Sequence, residues 1–177
     1  MKSPIPPIIH GLCAEGPYPE LAGKLALFGQ FIGDWTIEAQ WYGPDGAITR
    51  KATGELHFGW ILGGRAIQDV WIAHQENPPG KVAAGTTIRF YDPALNGWRC
   101  TWISPTQGLV RTFLAVKIGG QIVLEPTDKT GSPERWIFSE ITSNSFRWRA
   151  LECAGETNTW RLTEEMRMTK VASTPVD

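Results

Sequence analysis

The stretch "GWILGGRAIQDVWI" (residues 59–72) places Arg65, Gln68 and Asp69 inside a run of Trp, Ile, Leu and Val. Glycine tolerates positive φ at both centres of a tight turn, so Gly63-Gly64 predicts a two-residue hairpin. A turn there sets the register: Leu62 faces Arg65, Trp60 faces Ile67, Phe58 faces Asp69 and Leu56 faces Trp71. Directly opposed residues share one face of a sheet, and this face is the apolar one. The other face pairs Gly59 with Gln68, His57 with Val70, Glu55 with Ile72 and Thr53 with His74, a set that water accepts. The hairpin therefore turns the Asp69 carboxylate toward Phe58, Trp71 and Leu56, with Arg65 on the same side near the bend.

Working outward, the chain from Trp35 onward breaks into short runs rich in β-branched and aromatic residues. The runs are separated by turn-forming clusters such as "GPDG", "ENPPGK", "DPALNG", "SPTQG", "IGGQ", "TDKTGSP", "TSNS" and "AGETN". That spacing predicts about ten strands in a meander. No crossover helix separates any two runs, so the sheet is expected to be antiparallel, and closure into a barrel removes the edges an open sheet would expose. Before the strands, Pro19 opens a segment with Leu21, Leu25 and Phe28 at i, i+4 and i+7, which predicts a short amphipathic helix over residues 19–28. The expected fold is all-β, a roughly ten-stranded antiparallel up-and-down barrel over residues 33–170. The short helix and an N-terminal arm (1–17) precede it, within one domain covering 1–177.

Alternation then assigns the remaining faces. In "TWRLTEEMRM" the residues Thr159, Arg161, Thr163, Glu165 and Arg167 are polar, which leaves Trp160, Leu162, Glu164, Met166 and Met168 pointing inward. Glu164 is the charge on that inward side. In "WTIEAQW" the same logic turns Trp35, Ile37, Ala39 and Trp41 in, with both Trp expected near the helix at the closed end. A Ser143-Asn144 turn would set Ile137, Ser139, Ile141, Phe146, Trp148 and Ala150 on one face and Phe138 beside Arg149 on the other. A loop from Asp92 to Gly97 pairs Tyr91 with Trp98, Arg89 with Cys100 and Thr87 with Trp102, but the face of Ile88, Phe90 and Ile103 is equally apolar. Arg89, Tyr91 and Trp102 are placed inward because an ionised Asp69 among indoles needs a positive partner. Arg111 is left unassigned.

Composition excludes several classes. The 17 basic and 18 acidic residues, without runs of one sign, offer no phosphate-tracking stripe, so nucleic acid is not an expected partner. Three widely spaced cysteines without a C-x-x-C argue for reduced thiols and a cytoplasmic setting. Pro4, Pro6 and Pro7 interrupt the N-terminal segment, and no run approaches membrane-spanning length, so no membrane partner is expected. His10, His57 and His74 share neither spacing nor face, and the "LGGR" and "IGGQ" glycines precede no helix; neither a metal nor another cofactor is indicated. A homodimer is left open. The unusual count is nine Trp, which either fill a bulky core or wall a pocket.

A short helix leading into "GDW" (Gly33, Asp34, Trp35) resembles the opening of calycin barrels, where G-x-W begins the first strand. The longer pattern "GRAIQDVW", "GTTIRFYDP", the pair Trp98 and Trp102, and "RWIFSEIT" followed by "SFRWR" is similar to a bacterial family of uncharacterised lipocalin-like domains. The resemblance spans most of residues 28–168 and implies a fold rather than an activity. It departs from nitrobindin-type haem barrels, since Trp35 is followed by "TIEAQW" and no His is clearly inward, and from secreted lipocalins with their leader and disulfide.

Two readings of the inward polar residues follow. In the first, the barrel binds a small apolar or aromatic molecule with a polar or anionic group, using Arg65, Trp71, Arg89, Tyr91, Trp102 and Trp148 as ligand contacts. In the second, Asp69 and Glu164 are the acid/base groups of a cofactor-independent isomerase, cyclase or lyase. Against both stands a structural role for Asp69, as an ion pair with Arg65 or Arg89 that fixes register, and a barrel filled by its own side chains.

Overall fold

The computed structural model describes residues 6–127, 133–154 and 159–172. A short helix α1 (Pro7–Leu12) with Pro7 in its first turn leads into a two-residue strand β1 (Cys13–Ala14). A 3₁₀ turn (Pro19–Leu21) then precedes helix α2 (Ala22–Gly29). Ten strands follow: β2 (Gly33–Tyr42), β3 (Ile48–Ile61), β4 (Ala66–Glu76), β5 (Pro79–Asp92), β6 (Gly97–Ser104), β7 (Leu109–Ile118), β8 (Gln121–Pro126), β9 (Glu134–Ser139), β10 (Ser145–Ala154) and β11 (Thr159–Lys170). Each pairs antiparallel with its neighbour in sequence, β11 returns to β2, and the β3–β4 pairing completes the ring. β1 adds to the free side of β3 beyond the start of β2, through Cys13 opposite Ile61 and Ala14 opposite Trp60. The fold is thus the expected all-β, up-and-down barrel, with every long strand paired on both sides. The helical segment differs in detail from the single run expected over 19–28, and α1 and β1 were not anticipated.

The hairpin that opened the reading has the register expected of it, Phe58 opposite Asp69 and Leu56 opposite Trp71. Its bend is longer than two residues. Strand pairing ends at Ile61 and Ala66, and Leu62, Gly63 and Gly64 all take positive φ (53°, 63° and 76°). Side chains rarely adopt that conformation, and Leu62 tolerates it on the surface. Adding one residue to each side of a turn leaves the strand alignment unchanged, which is why the faces come out as read. Gly64 is required for a second reason: a Cβ there would lie 2.1 Å from the Gly16 carbonyl oxygen of the arm that crosses over it.

Helix α2 closes one end of the barrel. Leu25 and Phe28, one turn apart on its inner face, are fully buried, and Phe31 follows them into the interior. Phe28 meets Trp98 edge-on at 4.9 Å between ring centroids, and Phe31 meets Phe146 at 4.6 Å. Trp35 packs on Phe146 at 4.7 Å and donates its indole N–H to the Phe31 carbonyl at 2.7 Å. Burying each such ring stabilises the fold by roughly 1.5–3 kcal/mol, and edge-to-face contact adds about 0.5–1.5 kcal/mol per pair. This aromatic plug fills the lower part of the barrel and leaves the space above it to another set of residues.

Bulges place one extra residue in β3 (Thr49) and in β5 (Ala84), and two further strands depart from the expected faces. β11 carries a bulge: Ala150 faces Glu164 but Leu151 faces Leu162, so Thr163 is the extra residue. Glu164, Met166 and Met168 stay inward as expected, while Trp160 and Leu162 on the far side of the bulge join the outer face, where the Arg135 guanidinium lies 4.3 Å from the Trp160 ring. β9 is displaced by one residue from the Ser143-Asn144 prediction. Trp148 pairs with Phe138 and Ala150 with Trp136, so Phe138 and Trp136 point in, and Ile137 and Ser139 lie outside. The link is a five-residue turn beginning at Glu140, which holds φ at 52°. A one-residue slip exchanges the two faces of a whole strand. Among the described residues no helix is long and apolar enough to cross a membrane. The turns around residues 128–132 and 155–158 lie outside the described residues.

Candidate functional site

Above the plug lies a cavity of about 170 Å³ that opens at the end of the barrel opposite α2. Its floor is made by Phe58, Phe138, Asp69, Thr87, Arg89 and Met168. Asp69 and Arg89, both at least nineteen-twentieths buried, form an ion pair through Arg89 Nη1 and Asp69 Oδ2. The other carboxylate oxygen of Asp69 accepts the Thr87 backbone N–H at 3.0 Å. Adjacent strands produce this arrangement directly, since Asp69 on β4 stands opposite Thr87 on β5 and Arg89 is two residues further along the same face. The guanidinium carbon of Arg89 lies 5.2 Å from the Phe28 ring, 5.4 Å from Phe58 and 5.8 Å from Phe138. Its Nε is buried and has no hydrogen-bond partner. A guanidinium offers five N–H donors in a rigid fork, so an acceptor in the cavity completes what Asp69 leaves open.

The wall is a belt of indoles. Trp71 and Trp102 lie 6.1 Å apart, Trp102 and Trp136 6.4 Å, and Trp136 and Trp148 5.2 Å, with Trp41 completing the set across the mouth. Two glycines recess them. A Cβ on Gly85 would come within 2.3 Å of the Trp102 ring, and one on Gly54 within 3.1 Å of Trp71 Nε1. The rings therefore lie back over bare backbone on the neighbouring strands, and the space that larger residues would fill remains open. Trp71 Nε1 has no partner of its own.

The mouth is polar. Glu164 lines the cavity, accepts a hydrogen bond from the Trp41 indole, and sits near Arg50, whose guanidinium stacks 3.6 Å from the Trp41 ring. Burial pushes the Glu164 carboxyl from its ordinary 4.5 up to about 7, against the opposing pull of Trp41 and Arg50. Further round the rim, Arg111 faces Glu134 at 3.6 Å and Arg161 bonds Glu152 at 3.0 Å. Arg111 thus belongs to the inner side of the mouth.

Of the residues picked from the sequence, Asp69, Glu164, Trp71, Arg89, Trp102 and Trp148 line this cavity. Arg65 and Tyr91 do not. Arg65 sits at the hairpin bend and is exposed, with its guanidinium 3.5 Å from the Tyr18 ring of the arm; the bend lies at the barrel's end, so sharing a face with Asp69 does not bring it to the cavity. Tyr91 points inward beyond Arg89 at the plugged end, where it packs on Trp98 and donates to Asn96 Oδ1 at 2.7 Å. Trp41, expected with Trp35 at the closed end, is at the mouth, because six residues of extended chain span about 20 Å. Trp136 and Phe138 were missed through the β9 slip, although their i, i+2 spacing in "RWIF" marks one face in either register. His57 and Gln68 are outside as read: His57 Nδ1 meets Asp34 Oδ1 at 2.6 Å, and Gln68 donates to Thr86 Oγ1 at 2.9 Å. The three cysteines are unbridged, and burial drives the Cys100 thiol up to about 12, which makes it unreactive.

No protein-family model matches the chain, and no curated protein matches it in sequence. Among solved structures it is similar to the S-type phycobiliprotein lyase CPES from Guillardia theta, with a TM-score of 0.59 and 9% identity over 84% of this chain and 93% of that one. At that identity the likeness concerns the path of the backbone alone, in keeping with the closed antiparallel barrel described above.

Proposed function

We propose that the protein binds one small aromatic molecule bearing an anionic or strongly accepting group, held head-down in the barrel. The observation that carries this reading is the buried Arg89 guanidinium, which lines the floor of an indole-walled cavity and is paired with Asp69 through Nη1, leaving further N–H donors of its fork. A cavity of about 170 Å³ sets the size. An apolar protein cavity of roughly 150 Å³ admits benzene, so one substituted ring fits between these walls. The indole faces supply area for stacking, and Arg89 supplies orientation at the floor.

Binding is tested by indole fluorescence. Titration with benzoate should quench emission saturably, and benzamide, with the same ring and no charge, should bind more weakly. A flat titration with both, together with no small molecule detected by mass spectrometry of denatured, freshly purified protein, would reject the reading.

A second reading rests on Glu164. A carboxylic acid whose proton is exchanged near neutral pH, lining a cavity at its mouth, is equipped for proton transfer to a bound molecule. This supports a cofactor-independent lyase, isomerase or cyclase as the alternative, and the structural neighbour is itself a lyase. Asp69 fits that role less well than Glu164, since both of its oxygens are already engaged.

A further inference from the structure

The cavity has polar groups at two ends, and the binding proposed above accounts for one of them. At the floor, Arg89 lines the cavity with a guanidinium whose Nη1 is given to Asp69 and whose fork holds further donors. At the mouth, Glu164 is held to the protein by the Trp41 indole, a bond that one carboxyl oxygen accepts. A carboxylic acid has two oxygens and, when neutral, an O–H as well. One bond from Trp41 therefore leaves a donor and further acceptor capacity directed at the cavity that Glu164 lines. Between the two ends the wall carries the indoles of Trp71 and Trp102, set back over Gly54 and Gly85 and inclined at 35° to each other, with room for one aromatic ring beside them.

Floor and mouth lie at opposite ends of the cavity. Arg89 is ringed by Phe28, Phe58 and Phe138 of the plugged end, whereas Glu164 stands opposite Trp41 on β2 and beside Arg50, at the open end. A ring carrying a single polar group satisfies one end and leaves the other facing an apolar edge. Leaving a buried acid without its partner disfavours such a ligand, and a group that meets it favours the alternative.

Resting on the proposed binding, we infer that Glu164 is a second recognition point, and that the cavity selects a planar hydroxyaryl carboxylate with its hydroxyl at the end of the ring remote from the carboxylate. The carboxylate meets Arg89 and the hydroxyl exchanges hydrogen bonds with Glu164. Trp71 and Trp102 hold the ring between them and the opposite wall. Groups at the meta position would point into an indole instead of toward Glu164.

The test compares benzoate, meta-hydroxybenzoate and para-hydroxybenzoate by fluorescence titration on the intact protein at mildly acidic pH. One net hydrogen bond is worth up to about tenfold in affinity, so para-hydroxybenzoate should bind roughly five- to tenfold more tightly than either of the others. In Glu164→Leu the preference should collapse to a ratio near one, and in Glu164→Gln, which keeps hydrogen-bonding capacity, it should largely survive. Far-UV circular dichroism and a cooperative thermal transition establish that each variant is folded; if Glu164→Leu does not fold, the wild-type preference and the Glu164→Gln result still decide. Binding of all three probes with equal affinity, or a para preference that persists in Glu164→Leu, overturns the inference and leaves the ligand-binding reading standing. No binding of any probe rejects both.

Discussion

The floor of the barrel and its mouth each hold an inward carboxylate, and the protein treats the two in opposite ways. Asp69 is fully engaged at the cavity floor: the Thr87 N–H serves one oxygen, Arg89 serves the other, and aromatic rings surround the guanidinium. Glu164 is removed from water to a large extent but receives an indole N–H, with Arg50 nearby on the rim as its cation. An acid with a directly bonded cation and backbone donor ties two strands together. One without them keeps its proton into the neutral range and stays available to something else. The contrast separates a carboxylate whose two oxygens are both committed to neighbouring strands from one left with hydrogen-bonding capacity, a distinction that burial alone does not make.

The largest expected effect comes from breaking the floor. Asp69→Ala leaves the Arg89 charge buried without a counter-ion, and such losses cost about 3–5 kcal/mol, so denaturant midpoints should fall sharply. Replacing both partners with apolar residues, Asp69→Leu with Arg89→Met, should recover much of that loss while eliminating preference for benzoate over benzamide. A double variant as unstable as Asp69→Ala would show that the pair itself, and not the orphaned charge, carries the stability.

The mouth gives a smaller and pH-dependent effect of opposite character. Because the folded-state value for Glu164 is raised, the folded protein holds more protons than the unfolded chain between about pH 4.5 and 7. Stability should therefore decline as pH rises through that window and level off above it, by on the order of 2–3 kcal/mol. Glu164→Gln should flatten this segment of the profile and be the more stable protein above neutrality. The charged groups facing Glu164 are few: Arg50 on β3 beside Trp41 of β2, with the Arg161–Glu152 and Arg111–Glu134 pairs further along the rim. An unchanged profile in Glu164→Gln would remove the contrast between floor and mouth. If the ligand is anionic, its affinity should weaken over the same pH interval.

Between floor and mouth, Gly85→Ala tests the recessed wall. Its new methyl group meets the Trp102 ring, which it pushes toward the cavity, and also lies 2.7 Å from the Ile103 carbonyl oxygen on the neighbouring strand. Overpacking of this kind costs about 1–3 kcal/mol, part of which is offset by the lower chain entropy of alanine. Probe binding should weaken more than stability does, and Trp102→Phe in the same background should restore binding. The smallest effect belongs to the outer surface. Lys81, His74 and His57 together hold the part-buried Glu55 down at about 2, but Lys81 itself is exposed and the pair is screened, so Lys81→Ala should change stability by no more than about 1 kcal/mol.

Much of this was legible before any coordinates. The Gly63-Gly64 bend aligned Asp69 with Phe58, and alternation in "TWRLTEEMRM" turned Glu164 inward, because side-chain direction in a strand has a strict period of two. The need of Asp69 for a cation resolved the face of β5, and Arg89 stands where that need placed it. The failures share one cause. Trp136 and Phe138 were lost to a five-residue turn read as two, Trp160 and Leu162 to a bulge, and Arg65 and Trp41 to the height of a residue along the barrel axis. Periodicity reports which side of a sheet a residue occupies and carries no information on height or on extra residues in a link.

The amino-acid sequence by itself determined an all-β antiparallel closed sheet with an aromatic interior and acids facing into it, since local turn chemistry and a two-residue period are enough to specify those features. Only the tertiary structure decided that α2 fills one end and leaves a cavity at the other, that Gly54 and Gly85 lie beneath Trp71 and Trp102, and that Arg89 answers Asp69 while Glu164 is left at the mouth. Those outcomes depend on contacts between strands far apart in the chain, where volume and charge are matched in three dimensions and no local rule applies.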